Sequence, residues 1–161
     1  MTDEDRVREL AVRFRKAILK CERTELPLSL ADFPTGSCGD ASMLLGTYLK
    51  DNGINGFILI KGKRGEGNSL EIHSWLEKGD MLVDITSDQF EDTNEEVVIT
   101  KTDSGRYATF DKSILQEADY RMIAARDVKA HLEAVYDYIL DADKHDPNKC
   151  IYRIPNKSGS R

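Results

Sequence analysis

Long apolar runs are missing from this 161-residue sequence. No stretch is apolar over the roughly 20 residues that a bilayer-spanning helix needs, and residues 1–19 lack the segments of a signal peptide. The composition, 40% hydrophobic and 32% charged, is typical of a soluble globular protein. We therefore predict a cytoplasmic protein that has no membrane partner.

An excess of positive charge is missing as well. Lys and Arg number 23 against 29 Asp and Glu, which gives a net charge of −6, and the basic residues are dispersed along the chain. Binding to a phosphate backbone needs clustered basic side chains. The charge pattern therefore argues against a nucleic-acid partner.

Cysteine is scarce. The sequence has three cysteines, Cys21, Cys38 and Cys150, and no C-x-x-C pair. An odd and widely spaced set argues against a disulfide framework and against a zinc site, so we expect reduced thiols. A free cysteine is often a small buried side chain. We interpret Cys21 in this way, because it lies on the apolar stripe of a predicted helix.

The apolar residues that are present suffice for the core of one domain. We predict a single domain over residues 1–155 and a disordered tail over residues 156–161. Apolar residues recur at helical spacing over Thr2–Cys21 and over Asp127–Ala142. These two segments are predicted to form amphipathic helices that flank the rest of the domain.

Shorter segments predict the remaining secondary structure. Gly56–Lys61 and Val97–Thr100 are apolar and rich in β-branched residues, which is typical of strands. Asp111 precedes a few apolar residues and is predicted to cap a short helix that runs through Leu115.

A turn-rich loop over Phe33–Ser42 leads one cysteine into a helix predicted over Cys38–Lys50. A thiol at a helix N-terminus lies beside unpaired backbone N–H groups and the positive end of the helix dipole. These groups favour the thiolate and can also hold an oxyanion. The small residues Gly36, Ser37 and Gly39 surround this cysteine, and the two glycines leave room for a substrate.

Two alternating segments, residues 69–77 and 81–86, predict a β-hairpin. A Gly-Asp turn between them would pair Lys78 with Met81. This register places His73 and Asp84 diagonally on one face. Diagonal neighbours are about 7–8 Å apart at the backbone, so an imidazole and a carboxylate can meet there. A slip of one residue would separate the two side chains.

Cys38, His73 and Asp84 together provide a nucleophile, a base and an orienting carboxylate. In such a triad, the imidazole takes the thiol proton and later protonates the leaving amine, while the carboxylate fixes the imidazole tautomer. Asp88 is the rival carboxylate, because it follows the hairpin closely in sequence.

At these positions the sequence resembles the transglutaminase-like branch of the papain-like cysteine enzymes. The resemblance lies in Gly36-Ser37-Cys38 before a helix, His73-Ser74-Trp75 on one strand and Asp84-Ile85-Thr86 on the next. It implies an α+β fold with a papain-like or transglutaminase-like core, in which the nucleophile helix packs on an antiparallel sheet. Helices at the N- and C-terminal ends flank this core.

The resemblance also implies the roles of individual residues. Cys38 is the expected nucleophile, His73 the general base and Asp84 the orienting acid, and the expected substrate contacts are Gly36, Ser37, Gly39 and Trp75. No metal or organic cofactor is implied. Transglutaminases usually have an aromatic residue directly after the cysteine, whereas this chain has Gly39. The resemblance therefore favours amidase, deamidase or peptide-processing members over protein cross-linking.

The expected activity is that of a cysteine hydrolase or acyltransferase, which acts on a glutamine side chain or a peptide bond through a thioester. The partner would be a protein or peptide substrate, and the sequence leaves the oligomeric state open. Two other functions stay open. The first is a thiol redox or peroxide sensor, although no resolving cysteine lies near Cys38. The second is a binding or adaptor module with an inert site.

Overall fold

The computed structural model describes residues 1–144 and has an α+β fold built on one five-stranded antiparallel sheet. The described strands are β1 (Ile58–Arg64), β2 (Glu71–Lys78), β3 (Met81–Asp84), β4 (Val98–Lys101) and β5 (Asp111–Glu117). The described α-helices are α1 (Asp3–Lys20), α2 (Leu28–Ala31), α3 (Cys38–Asp51) and α4 (Arg126–Lys144). Cys150 and the predicted tail lie outside the described residues.

The predicted helices at the two ends of the domain are present as α1 and α4, which pack against each other and against α3. Thr2 caps α1 through a reciprocal bond with Asp5, which satisfies backbone N–H groups that the first turn leaves unpaired. Among the described residues, we find no helix that is both long and apolar enough to cross a bilayer.

The strands lie in the order β4-β3-β2-β1-β5, and every neighbouring pair is antiparallel. The predicted hairpin is confirmed as β2 and β3, with Lys78 paired to Met81 and Leu76 to Val83. This register is the one that places His73 and Asp84 on a common face. Helix α3 packs against β1 and β2, which brings the N-terminus of α3 to the strand that carries His73.

The helix predicted over Asp111–Leu115 is wrong, because this segment belongs to strand β5. It pairs with β1, where Ile60 faces Ile114 across the ladder. Every residue of β5 is exposed, so the strand shows no alternating apolar face. Its conformation depends on hydrogen bonds to a strand that is distant in sequence, and local pattern carries no signal of such pairing.

The central part of the sheet is buried on both faces. One face forms the main core with the helices, while the other holds a smaller cluster of Ile60, Trp75, Leu82, Val98, Tyr107 and Phe110. Gly62 makes this second layer possible. A Cβ at this position would lie 2.4 Å from the Trp75 ring, so only glycine lets the indole lie against β1.

Candidate active site

Cys38 is the first residue of α3 and is only partly buried. The imidazole of His73 and the backbone N–H of Ser74 on β2 both act on its thiol. Burial acts to raise the pKa of this thiol, but the hydrogen bond and positive charge of His73 outweigh it, so the pKa lies below its ordinary value. The position at the start of the helix agrees with the sequence prediction.

His73 and Asp84 are joined by a hydrogen bond of 2.6 Å between Nε2 and Oδ2, and both residues are buried. Since Nε2 is engaged by the carboxylate, Nδ1 is the ring nitrogen left for Cys38. Burial acts to lower the pKa of His73, but its bonds to Asp84 and Cys38 raise that pKa to about 9. The imidazole of His73 is therefore hydrogen-bonded to Asp84 and lies close enough to Cys38 to shift the pKa of the thiol.

Asp84 is held by three further donors. Tyr107 donates its hydroxyl to Oδ2 at 2.7 Å, and Thr86 donates its backbone N–H and its hydroxyl to Oδ1 at 2.8 and 3.1 Å. Burial acts to raise the pKa of this carboxyl, but His73 and these donors hold it below its usual value. The buried carboxylate consequently stays charged and fixed beside the imidazole.

Asp88, the rival carboxylate, has a different partner. Arg15 on α1 binds it with two parallel hydrogen bonds of 2.8 and 2.7 Å, and only 5% of the Arg15 side chain is exposed. The same guanidinium donates to the carbonyls of Ile85 and Glu96. His73 is therefore oriented by Asp84, while Asp88 anchors the loop after β3 to the first helix.

Gln89 is a site residue that sequence reasoning missed. Its Nε2 lies 3.0 Å from Nδ1 of His73, and its Oε1 accepts a bond of 3.4 Å from the backbone N–H of Gly36. Tyr107 was missed as well. Its position depends on how residues 105–109 pack against β2 and β3. No local sequence motif predicts that packing. Thr86 stood inside a quoted motif, but nothing in its spacing indicated a bond to Asp84.

Two expected substrate contacts are corrected by burial. Trp75 has no exposed surface, packs in the smaller core cluster, and donates its indole N–H to Glu77. Ser37 is 1% exposed, and its hydroxyl donates to the carbonyl of Thr35. Neither side chain can touch a substrate in this conformation, because apolar packing and a local turn bond occupy them.

The two glycines near the cysteine lie in open space, as a substrate contact requires. A Cβ built on Gly36 or on Gly39 meets no heavy atom within 4 Å. Gly36 has a φ of 68°, in the left-handed region that favours glycine. Gly36 in the loop before α3 and Gly39 in its first turn therefore leave open space on either side of Cys38 in the sequence.

Aromatic rings enclose the imidazole of His73. Phe90 meets it edge-on with ring centroids 4.9 Å apart, and Trp75 and Phe110 lie at 5.7 and 6.4 Å. Such a low-dielectric surrounding strengthens the hydrogen bond between His73 and Asp84. Within residues 1–144, no group of three or more His, Cys, Asp or Glu side chains is arranged to hold a metal ion.

No protein-family model, curated protein or solved structure matches the chain. The resemblance to transglutaminase-like enzymes therefore rests on the quoted motif residues, and membership of that family stays a prediction.

Proposed function

We propose that the protein is a cysteine hydrolase or acyltransferase that acts on an amide through a thioester at Cys38. The observation that carries this proposal is the 2.6 Å hydrogen bond between His73 and Asp84, both buried, beside Cys38 at the start of α3. The α+β fold with α3 packed on an antiparallel sheet agrees with the papain-like or transglutaminase-like core that the motifs imply.

The reaction begins when the thiol proton passes to Nδ1 of His73. The thiolate sulfur then attacks the amide carbonyl carbon, and the C=O electron pair moves to oxygen. The backbone N–H of Cys38 belongs to the first turn, whose N–H groups have no partner within the helix, and it then stabilises this oxyanion. Asp84 stabilises the imidazolium that forms, without taking its proton.

The intermediate collapses when the oxyanion re-forms the carbonyl and the C–N bond breaks. Nδ1–H donates its proton to the leaving nitrogen, which departs as ammonia or as an amine, and a thioester remains on Cys38. A water molecule, or an amine in a transfer reaction, then loses a proton to Nδ1 and attacks the thioester. The acyl group leaves as an acid or a new amide, and the thiol is restored.

A panel of glutamine-containing peptides and proteins tests this proposal, with and without an added primary amine. We expect ammonia, a cleaved peptide or an amine adduct with wild-type protein, and none of these with Cys38→Ala. Mass spectrometry after acid quenching should detect the acyl adduct on Cys38. If wild-type protein with an alkylatable Cys38 gives no product and no adduct, the protein is a binding module instead.

A further inference from the structure

Gln89 lies between His73 and the loop that precedes α3. It ends the short 3-10 turn Ser87–Gln89, and its side chain is half-buried. Its Nε2 lies within hydrogen-bond distance of Nδ1 of His73. Its Oε1 accepts a hydrogen bond from the backbone N–H of Gly36 in the loop before α3. One side-chain amide thus bridges the imidazole and the loop that carries the cysteine.

The backbone under Gln89 is firmly held. Its neighbour Asp88 makes two bonds to the buried guanidinium of Arg15, which also donates to the carbonyl of Ile85. The backbone of this turn is therefore fixed to α1. The Gln89 amide can therefore leave Nδ1 by rotation of its own long side chain, without movement of the backbone.

The amide of Gln89 and the thiol of Cys38 need the same imidazole nitrogen. Nε2 of His73 is committed to Asp84, so both groups compete for Nδ1. The Gln89 N–H can donate only to an unprotonated Nδ1, because a protonated Nδ1 is itself a donor. Pairing with the Cys38 thiolate requires the opposite state, in which Nδ1 carries a proton.

Within residues 1–144, Cys38 is the one titratable group with which Gln89 competes for Nδ1. The groups of the described residues that act on the imidazole are Asp84 from β3 and Cys38 from α3. Tyr107 acts on it through Asp84, and its own pKa is raised by burial and by the charge of that carboxylate. The other neighbours of the ring are the uncharged side chains Trp75, Phe90 and Phe110.

We propose that Gln89 is a positioning residue that controls the access of the Cys38 thiol to His73. Its amide holds Nδ1 while that nitrogen is unprotonated, and it turns away when Nδ1 takes the proton that pairs with the thiolate. The inference rests on the proposed function, because it assigns a new residue to the same pair of thiol and imidazole.

The pH dependence of Cys38 alkylation tests this assignment without knowledge of the substrate. We would measure the rate of iodoacetamide labelling at Cys38 against pH for wild type, Gln89→Ala and Gln89→Glu. Gln116→Ala on the exposed strand β5 is the matched control. Circular dichroism establishes that each variant is folded.

Loss of the competing amide should favour the protonated imidazole and the thiolate. Gln89→Ala is therefore expected to move the pH of half-maximal labelling down by about one unit, the size of one lost hydrogen bond. Gln89→Glu should move it up, because the new carboxylate accepts the hydrogen bond of Nδ1–H in place of the thiolate and repels the thiolate by its charge. Gln116→Ala should leave it unchanged. Since Gln89→Glu keeps the size of the native side chain, it tests the proposal even if Gln89→Ala does not fold.

Two different results would overturn the inference. If the profile of folded Gln89→Ala coincides with that of wild type, the amide does not compete for Nδ1. If it moves up, Gln89 stabilises the thiolate directly. An ordinary thiol profile at wild-type Cys38 would instead contradict the proposed function itself, so the two failures are distinguishable.

Discussion

The hydroxyl of Tyr107 donates to Oδ2 of Asp84 at 2.7 Å, the same oxygen that accepts the hydrogen bond of the catalytic imidazole proposed above. One carboxylate oxygen therefore serves two donors in a buried site. Tyr107 therefore supports the position of Asp84, although no contact joins it to Cys38.

Tyr107→Phe should loosen Asp84 and reduce the reactivity of Cys38. A hydrogen bond to a charged group contributes about 1.5–3 kcal/mol, so a comparable loss in the free energy of unfolding is expected. We expect the alkylation rate of Cys38 at neutral pH to fall about tenfold. Tyr136→Phe is the matched control, since its hydroxyl donates to Asp51 at 2.7 Å in another part of the fold. An equal fall in both variants would contradict a specific role for Tyr107.

Cys38 should react with iodoacetamide near neutral pH much faster than Cys21 or Cys150. Only Cys38 is predicted to combine a helix N-terminus with an imidazolium partner. Burial raises the pKa of its thiol, but His73 lowers that pKa by more. Cys21 is buried, and its sulfur donates to the carbonyl of Ala17. Peptide mass spectrometry of partially labelled protein measures the three rates. Preferential labelling of Cys21 or Cys150 would leave Cys38 without support as the nucleophile.

Asp84→Asn should keep the fold but remove most activity. An amide still forms hydrogen bonds, yet it cannot stabilise the charged imidazole and can select the wrong tautomer. The same change in a Ser-His-Asp triad costs about 10⁴-fold in rate. The assay is the glutamine-peptide panel, with Cys38 alkylation as a second readout. Asp80→Asn, which breaks an exposed ion pair with Lys101, is the control. Full activity in Asp84→Asn would show that another group orients His73.

Asp88→Asn should destabilise the protein, because it leaves the buried Arg15 guanidinium without its charged partner. Loss of one partner of a buried ion pair costs about 3–5 kcal/mol. Asp143→Asn is the control, since it breaks the more exposed pair with Arg13 and should cost less than about 1 kcal/mol. Denaturant unfolding curves measure both. Similar small losses in the two variants would contradict a structural role for the Arg15–Asp88 pair.

The contribution of His73 to the stability of the protein should fall as the pH rises from 6.5 to 9. The pKa of His73 is 6.5 as an ordinary value and is raised to about 9 in the fold. A group with a raised pKa in the folded state adds stability that is fully present below its unfolded pKa and is lost as the pH rises through the folded value. We expect the free energy of unfolding of His73→Gln to vary less over this range. Parallel pH profiles for the two proteins would contradict the raised pKa.

The sequence alone determined the terminal helices, the helix that begins at Cys38 and the β2–β3 hairpin. These features follow from local periodicity, capping and turn residues, which act between neighbours in the chain. The register of the hairpin also followed from its short turn, and with it the meeting of His73 and Asp84.

Tertiary structure decided which residues from distant segments come into contact. Strand β5 is stabilised by hydrogen bonds to the edge of β1. The local sequence after Asp111 therefore did not predict a strand. Trp75 became a core residue because the segment that carries Tyr107 and Phe110 covers its face of the sheet. Arg15 binds Asp88, and the next residue, Gln89, lies beside the imidazole of His73. These contacts join residues far apart in sequence, and such pairings depend on how the whole chain packs rather than on any local pattern.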